Sequence, residues 1–141
     1  MKRSSSRIVL AYIEARTRGN NMSYAGKIAI VIVALLHFYF LVLEMFLWTK
    51  PAGLRAFGLT PERAEASKVL AANQGLYNGF LGAGLLWSLT QGRHAFHLAV
   101  FFLVCVIIAG LYGAATANRK ILYVQALPAI IALILLHIPA H

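Results

Sequence analysis

Charge is scarce in this chain. Only 12% of its 141 residues are charged, and acids account for four of them; soluble domains carry about a quarter. Hydrophobic residues make up 60%, against about 45–50% in soluble domains. So few charges could not cover so much apolar surface in a soluble fold of this size. The balance excludes a soluble enzyme, a disordered tail and an ordinary nucleic-acid-binding domain, despite a formal net charge of +9. A single cysteine, Cys105, excludes an internal disulfide, a CxxC redox pair and a structural zinc knuckle. No stretch alternates polar and apolar residues as a barrel wall must, and there is no repeat or low-complexity tract. What remains is a small integral membrane protein.

Four apolar stretches are long enough to cross a hydrocarbon core as helices. They lie near 28–48, 69–89, 95–116 and 121–138, predicting an all-α, four-transmembrane-helix bundle. Two connections, 90–94 and 117–120, are short turns. The third, 49–68, is longer. In it Lys50-Pro51-Ala52-Gly53 stops the first helix, and Thr60-Pro61-Glu62 reads as a helix start: a capping hydroxyl, proline at the first position and an acid near the positive end of the dipole. A short surface helix from Pro61 is expected to run into the second span.

Residues 1–21 form a basic extension separate from the membrane domain, 22–141. Lys2, Arg3, Arg7, Arg16 and Arg18 give it five positive charges. The apolar run Ile8–Ile13 is too short for a signal-peptide core. Two readings stand open: a basic interfacial arm, or a chain that starts at Met22. Topology depends on which holds. The loops after the first and third spans carry Lys50, Arg55, Arg63, Lys68, Arg119 and Lys120, against Lys27 and Arg93 opposite. Without the extension this asymmetry places loop 49–68 in the cytoplasm of a bacterial inner membrane; with it the two sides nearly balance.

Polar residues gather toward the end of the bundle that carries loop 49–68. Glu44 lies about 6 Å below the end of the first span. Asn73, Gln74 and Tyr77 enter the second span from that side, and Asn78 and His37 reach the midplane. Tyr112 and Thr116 close the third span there, and Tyr123 and Gln125 open the fourth. Around the second span Asn73, Gln74, Tyr77 and Asn78 occupy one arc of about 140°. Gly75, Gly79 and Gly82 form a separate small-residue face, suited to close approach of a helix and to contact between copies of the chain. Pro128 breaks the fourth helix and frees the carbonyl of Val124.

Glu44 is the only acid in any span, a costly placement. It reads as a ligand anchor, proton carrier or general base. The structural alternative is a fixed ion paired with Lys50, Lys68, Arg119 or Lys120. His37 shares its stripe but lies about 10 Å away along the axis, so the two form no direct dyad. Four hydrogen-bonding side chains in six residues, Asn73 to Asn78, suit the lining of a binding site. Trp48 and Trp87 read as interface anchors, Trp48 with a possible ligand contact. His94, His97, His137 and His141 match no metal or haem spacing, so no metal or cofactor is expected.

Leu43-Glu44-Met45-Phe46-Leu47-Trp48, Lys68 through Phe80 with its Asn73-Gln74-Gly75-Leu76-Tyr77-Asn78-Gly79 core, Ala109-Gly110-Leu111-Tyr112-Gly113 and Gln125-Ala126-Leu127-Pro128-Ala129 together resemble a family of small bacterial membrane proteins, domain of unknown function 1304. The resemblance covers roughly 24–136. It implies a compact four-helix membrane protein with Glu44, Asn73, Gln74, Tyr77 and Asn78 on the family's motif positions, and it implies no reaction. The expected function is binding of a small amphipathic or lipid-like molecule in a polar pocket within one leaflet, formed by Glu44, Trp48, Asn73, Gln74, Tyr77, Asn78, Tyr112 and Gln125. Two alternatives stand beside it: a proton-coupled transporter using Glu44, and a membrane enzyme moving protons through Glu44 and His37. Partners are membrane lipids and the amphipathic ligand, with no nucleic acid.

Overall fold

The computed structural model describes residues 22–138; the basic extension, 1–21, and His141 lie outside them. Every regular element among the described residues is helical. In order they are α1 (Tyr24–Phe46), α2 (Pro51–Phe57), α3 (Pro61–Ser88), a 3₁₀ turn (Gly92–His94), α4 (Ala95–Thr116), a π-helical turn (Leu122–Ala126) and α5 (Leu127–Leu136). Two helical stretches, Tyr24–Phe46 and Gly92–Thr116, are long and apolar enough to cross a membrane, and Leu122–Leu136 is a shorter apolar helix.

The helix ends follow from local chemistry. Ser23 caps α1: its hydroxyl oxygen accepts from the Gly26 N–H at 3.0 Å and donates to the Leu135 carbonyl at 2.7 Å. One side chain thus satisfies an orphan amide and ties the start of α1 to the end of α5. Pro51 does end α1, but it also opens α2 as a first-turn proline. This second helix corrects the expectation of a plain stop at Lys50–Gly53. α2 ends at Gly58, which takes φ +65°, a left-handed conformation that only glycine adopts freely. Gly53 is required because a Cβ there would lie 2.7 Å from the Trp48 carbonyl oxygen. Thr60 caps α3 by accepting from the Arg63 N–H, with Pro61 at its first position. The Glu62 carboxyl is held below the usual glutamate range by its own backbone N–H and the Thr60 hydroxyl. The surface turns of α3 therefore run without a break into its apolar part.

α1 packs against α3 and α5, and α4 packs against α3 and α5. Glycine makes the α1–α3 contact close. A Cβ on Gly75 would lie 2.7 Å from Met45 Cγ, and one on Gly82 3.1 Å from the Ala34 carbonyl oxygen; a Cβ on Gly79 would strike the Leu41 side chain. The small-residue face of Gly75, Gly79 and Gly82 is therefore filled by α1 of the same chain. The core uses small and branched residues: Ala34, Ala99, Ala129 and Ala132 with Ile30, Val33, Leu85, Leu103 and Val106.

The helix is interrupted next to Pro128. The Leu127 N–H reaches back to the Leu122 carbonyl in a π turn. Pro128, which has no N–H to donate, then stands in the first turn of α5. The π turn seats Ala126 against α4, where a Cβ on Gly110 would fall 2.8 Å from the Ala126 nitrogen.

Candidate functional site

Glu44 lies two residues before the end of α1 and is buried, as is Asn78 on α3. The Asn78 side-chain amide donates to Glu44 Oε2 at 2.7 Å, a charge-assisted bond when Glu44 is ionised. The glycine face allows this meeting, since a Cβ on Gly75 would lie 3.0 Å from Glu44 Cβ. Among the described residues no cation pairs with Glu44; Lys68 pairs instead with Glu65 on the surface of α3. The fixed-ion reading with Lys50, Lys68, Arg119 or Lys120 is thereby corrected: the partner of Glu44 is a neutral amide.

His37 is 1% exposed. Its Nδ1–H donates to the Val33 carbonyl at 2.8 Å, and its Nε2 has no partner among the described residues. No side chain bridges His37 to Glu44 there. The imidazole sits as a core residue with one unsatisfied lone pair.

Beside this buried bond a groove of about 470 Å³ runs between the end of α1 and the first membrane-length turns of α3. Its polar lining is Trp48, Thr49, Lys68 and Asn73, with Glu44 in the wall. Met45, Phe46, Val69, Ala72 and Leu76 supply the apolar lining. The Trp48 indole N–H donates to Ser67 Oγ at 3.1 Å, and its ring packs on Phe57 with centroids 4.6 Å apart. These contacts fix the tryptophan as a wall joining α1, α2 and α3. The Asn73 amide donates to the Val69 carbonyl of its own helix at 3.1 Å.

The expected single pocket is divided. Leu76 and Asn78 point about 160° apart around α3 at 100° per residue. Lys68, at the groove rim, is only about 80° from Asn78 on the same count; Asn78 is outside the lining, while its partner Glu44 belongs to it. Glu44, Trp48 and Asn73 line the groove. Gln74, Tyr77 and Tyr112 are exposed and outside it, and Gln125 is half-buried in the π turn, also outside it. Sequence reasoning passed over Lys68, Val69, Ala72 and Leu76 as lining, although their three- and four-residue spacing with Asn73 marks one helix face. That signal was lost by sorting the helix by polarity alone.

At the opposite end His137 packs edge-on to Phe96 at 5.2 Å and bonds the Leu133 carbonyl. No group of three His, Cys, Asp or Glu side chains converges among the described residues.

With every regular element among its described residues helical and two helices of membrane-crossing length and apolarity, the chain falls in the class of small helical proteins with a weak membrane signature. Residues 31–137 match the family described as "Protein of unknown function (DUF1304)", and the chain belongs to that family. It is similar to "Uncharacterized protein YpaA" of Lactococcus lactis subsp. lactis (strain IL1403), with 37% identity over 106 residues, covering 74% of this chain and 89% of that protein. No solved structure matches.

Proposed function

We propose that the protein is a four-span protein of the bacterial inner membrane that binds a small amphipathic, lipid-like molecule in the groove between α1 and α3. Residues 22–141 form the membrane unit, and loop 49–68 faces the cytoplasm. The observation that carries the binding reading is the lining itself. An apolar floor of Met45, Ala72 and Leu76 meets a polar rim of Thr49, Lys68 and Asn73. About 470 Å³ falls inside the usual range of small-molecule sites, about 300–1,000 Å³.

Outward-facing apolar stripes support the membrane setting. Ile28, Ile32, Leu35, Tyr39, Val42 and Phe46 are exposed along α1, and Phe101, Val104, Ile108 and Leu111 along α4. Such continuous stripes have no partner among the described residues, and hydrocarbon is the solvent that suits them. α3 lies between α1 and α4, so it shares their environment. Its glycine contacts supply the close van der Waals packing that holds helices together where water does not drive them.

The test is native mass spectrometry of gently purified protein, wild type beside Ala72→Phe, which fills the groove floor. A defined small adduct on the wild type that is lost in the variant is expected. An adduct retained equally by the variant, or no adduct on either form, overturns the groove as the site.

A further inference from the structure

The one cation in the groove lining identifies its ligand more closely. Lys68 is the only cation in the lining. The one acid there, Glu44, has its carboxylate bonded to the buried Asn78 amide. Among the described residues Lys68 is held by an exposed pair with Glu65, its side chain 54% exposed, and exposed pairs of this kind hold weakly. A ligand anion therefore displaces Glu65 at little cost. Thr49 and Asn73 stand on the same lining as Lys68 to complete the hydrogen bonding of a head oxygen. From this rim the apolar surface continues outward over Phe46 and Val69, 64% and 67% exposed.

We propose that the groove takes an amphiphile whose head bears a single negative charge, with the anion at Lys68 and the apolar chain along Phe46, Val69 and Leu76. This assignment rests on the reading of the groove as a ligand site. A zwitterionic head is disfavoured because Lys68 repels its cation, a cost that a head with a single negative charge does not meet. The head chemistry has two sources in a membrane, the phosphodiester of an anionic phospholipid and the carboxylate of a free fatty acid.

The experiment uses the full chain, stripped of lipid in detergent and read by native mass spectrometry. The probes are phosphatidylglycerol, phosphatidylcholine and phosphatidylethanolamine of identical acyl chains, and oleate. Wild-type protein is expected to retain phosphatidylglycerol or oleate about tenfold more than either zwitterionic lipid, the size of one charge-assisted hydrogen bond. Lys68→Ala is expected to abolish that preference, whereas Lys120→Ala, a cation outside the groove, leaves it in place. Both changes are at surface side chains and do not disturb the core. Preference for phosphatidylglycerol over oleate names the phospholipid as the source, and the reverse names the fatty acid. Equal retention of charged and zwitterionic lipids, or equal loss in Lys68→Ala and Lys120→Ala, overturns the head assignment and leaves the groove standing. Failure of every probe to bind overturns the groove reading itself.

Discussion

Asn78 is worth more than its neighbours in the polar run, because it alone holds a buried partner. Replacing it with alanine leaves Glu44 Oε2 without its donor, a loss of about 1–3 kcal/mol for a buried acceptor. Asn73 is exposed and bonds only within its own helix, so Asn73→Ala should stay within about 0.5 kcal/mol of wild type. Denaturant titration in detergent, followed by circular dichroism, measures both. Equal effects would mean that the bond to Glu44 contributes nothing to joining α1 and α3. His37 carries the opposite expectation. Its Nε2 is buried without a donor, so His37→Leu removes an unsatisfied acceptor at similar volume. Stability is expected to hold within about 1.5 kcal/mol or to rise, measured by thermal unfolding. A large loss would mean that the lone pair has a partner, such as an internal water, that the imidazole needs.

Helix by helix, the tightest contacts are made by glycine, and they differ in what they meet. At Gly110 an added Cβ meets backbone, the Ala126 nitrogen at 2.8 Å, which has no rotamer to turn away. Gly110→Ala must push α4 from the π turn and is expected to cost about 1–3 kcal/mol. At Gly113 the nearest atoms are the Ile121 side chain at 3.2 Å, which yields more easily, so Gly113→Ala should cost less; the same denaturant titration ranks the two. These elements also mark what the sequence disclosed. The stretch 95–116 reads as a helix because it is long and apolar and holds neither proline nor a charged residue, and α4 spans those residues. The Thr60-Pro61-Glu62 start of α3 was legible because a cap is local chemistry. α2 was not, because Pro51 both stops one helix and starts another, and only the return of the chain onto the Leu47 and Trp48 carbonyls decides for the second. The partition of Asn73, Gln74, Tyr77 and Asn78 was hidden for a similar reason. Periodicity places four side chains on an arc, but the position of α1 on the glycine face decides which of them is buried.

At the scale of the whole molecule the open question is how many helices cross. Length and apolarity single out Tyr24–Phe46 and Gly92–Thr116, whereas α3 is diluted by its surface turns and by Asn73, Gln74 and Asn78. A chain crossing only at those two stretches would put positions 55 and 91 on the same side. A chain crossing four times puts them on opposite sides, with 55 in the cytoplasm by the basic residues of its loop. Packing argues for four. α3 has 28 residues, a rise of about 42 Å, and it is in contact with both α1 and α4. Parting from α1 would strip Gly75, Gly79 and Gly82 of their partner helix. Cys105 is the one cysteine, so a Cys105→Ala background accepts single reporters at Arg55→Cys and Gln91→Cys. In intact cells a membrane-impermeant maleimide is expected to label position 91 and to reach position 55 only after the inner membrane is opened. Labelling of both positions from one side would reduce the crossings to two and place the groove, with Lys68 at its rim, outside the bilayer. The outward apolar stripes would then require a protein partner in place of lipid.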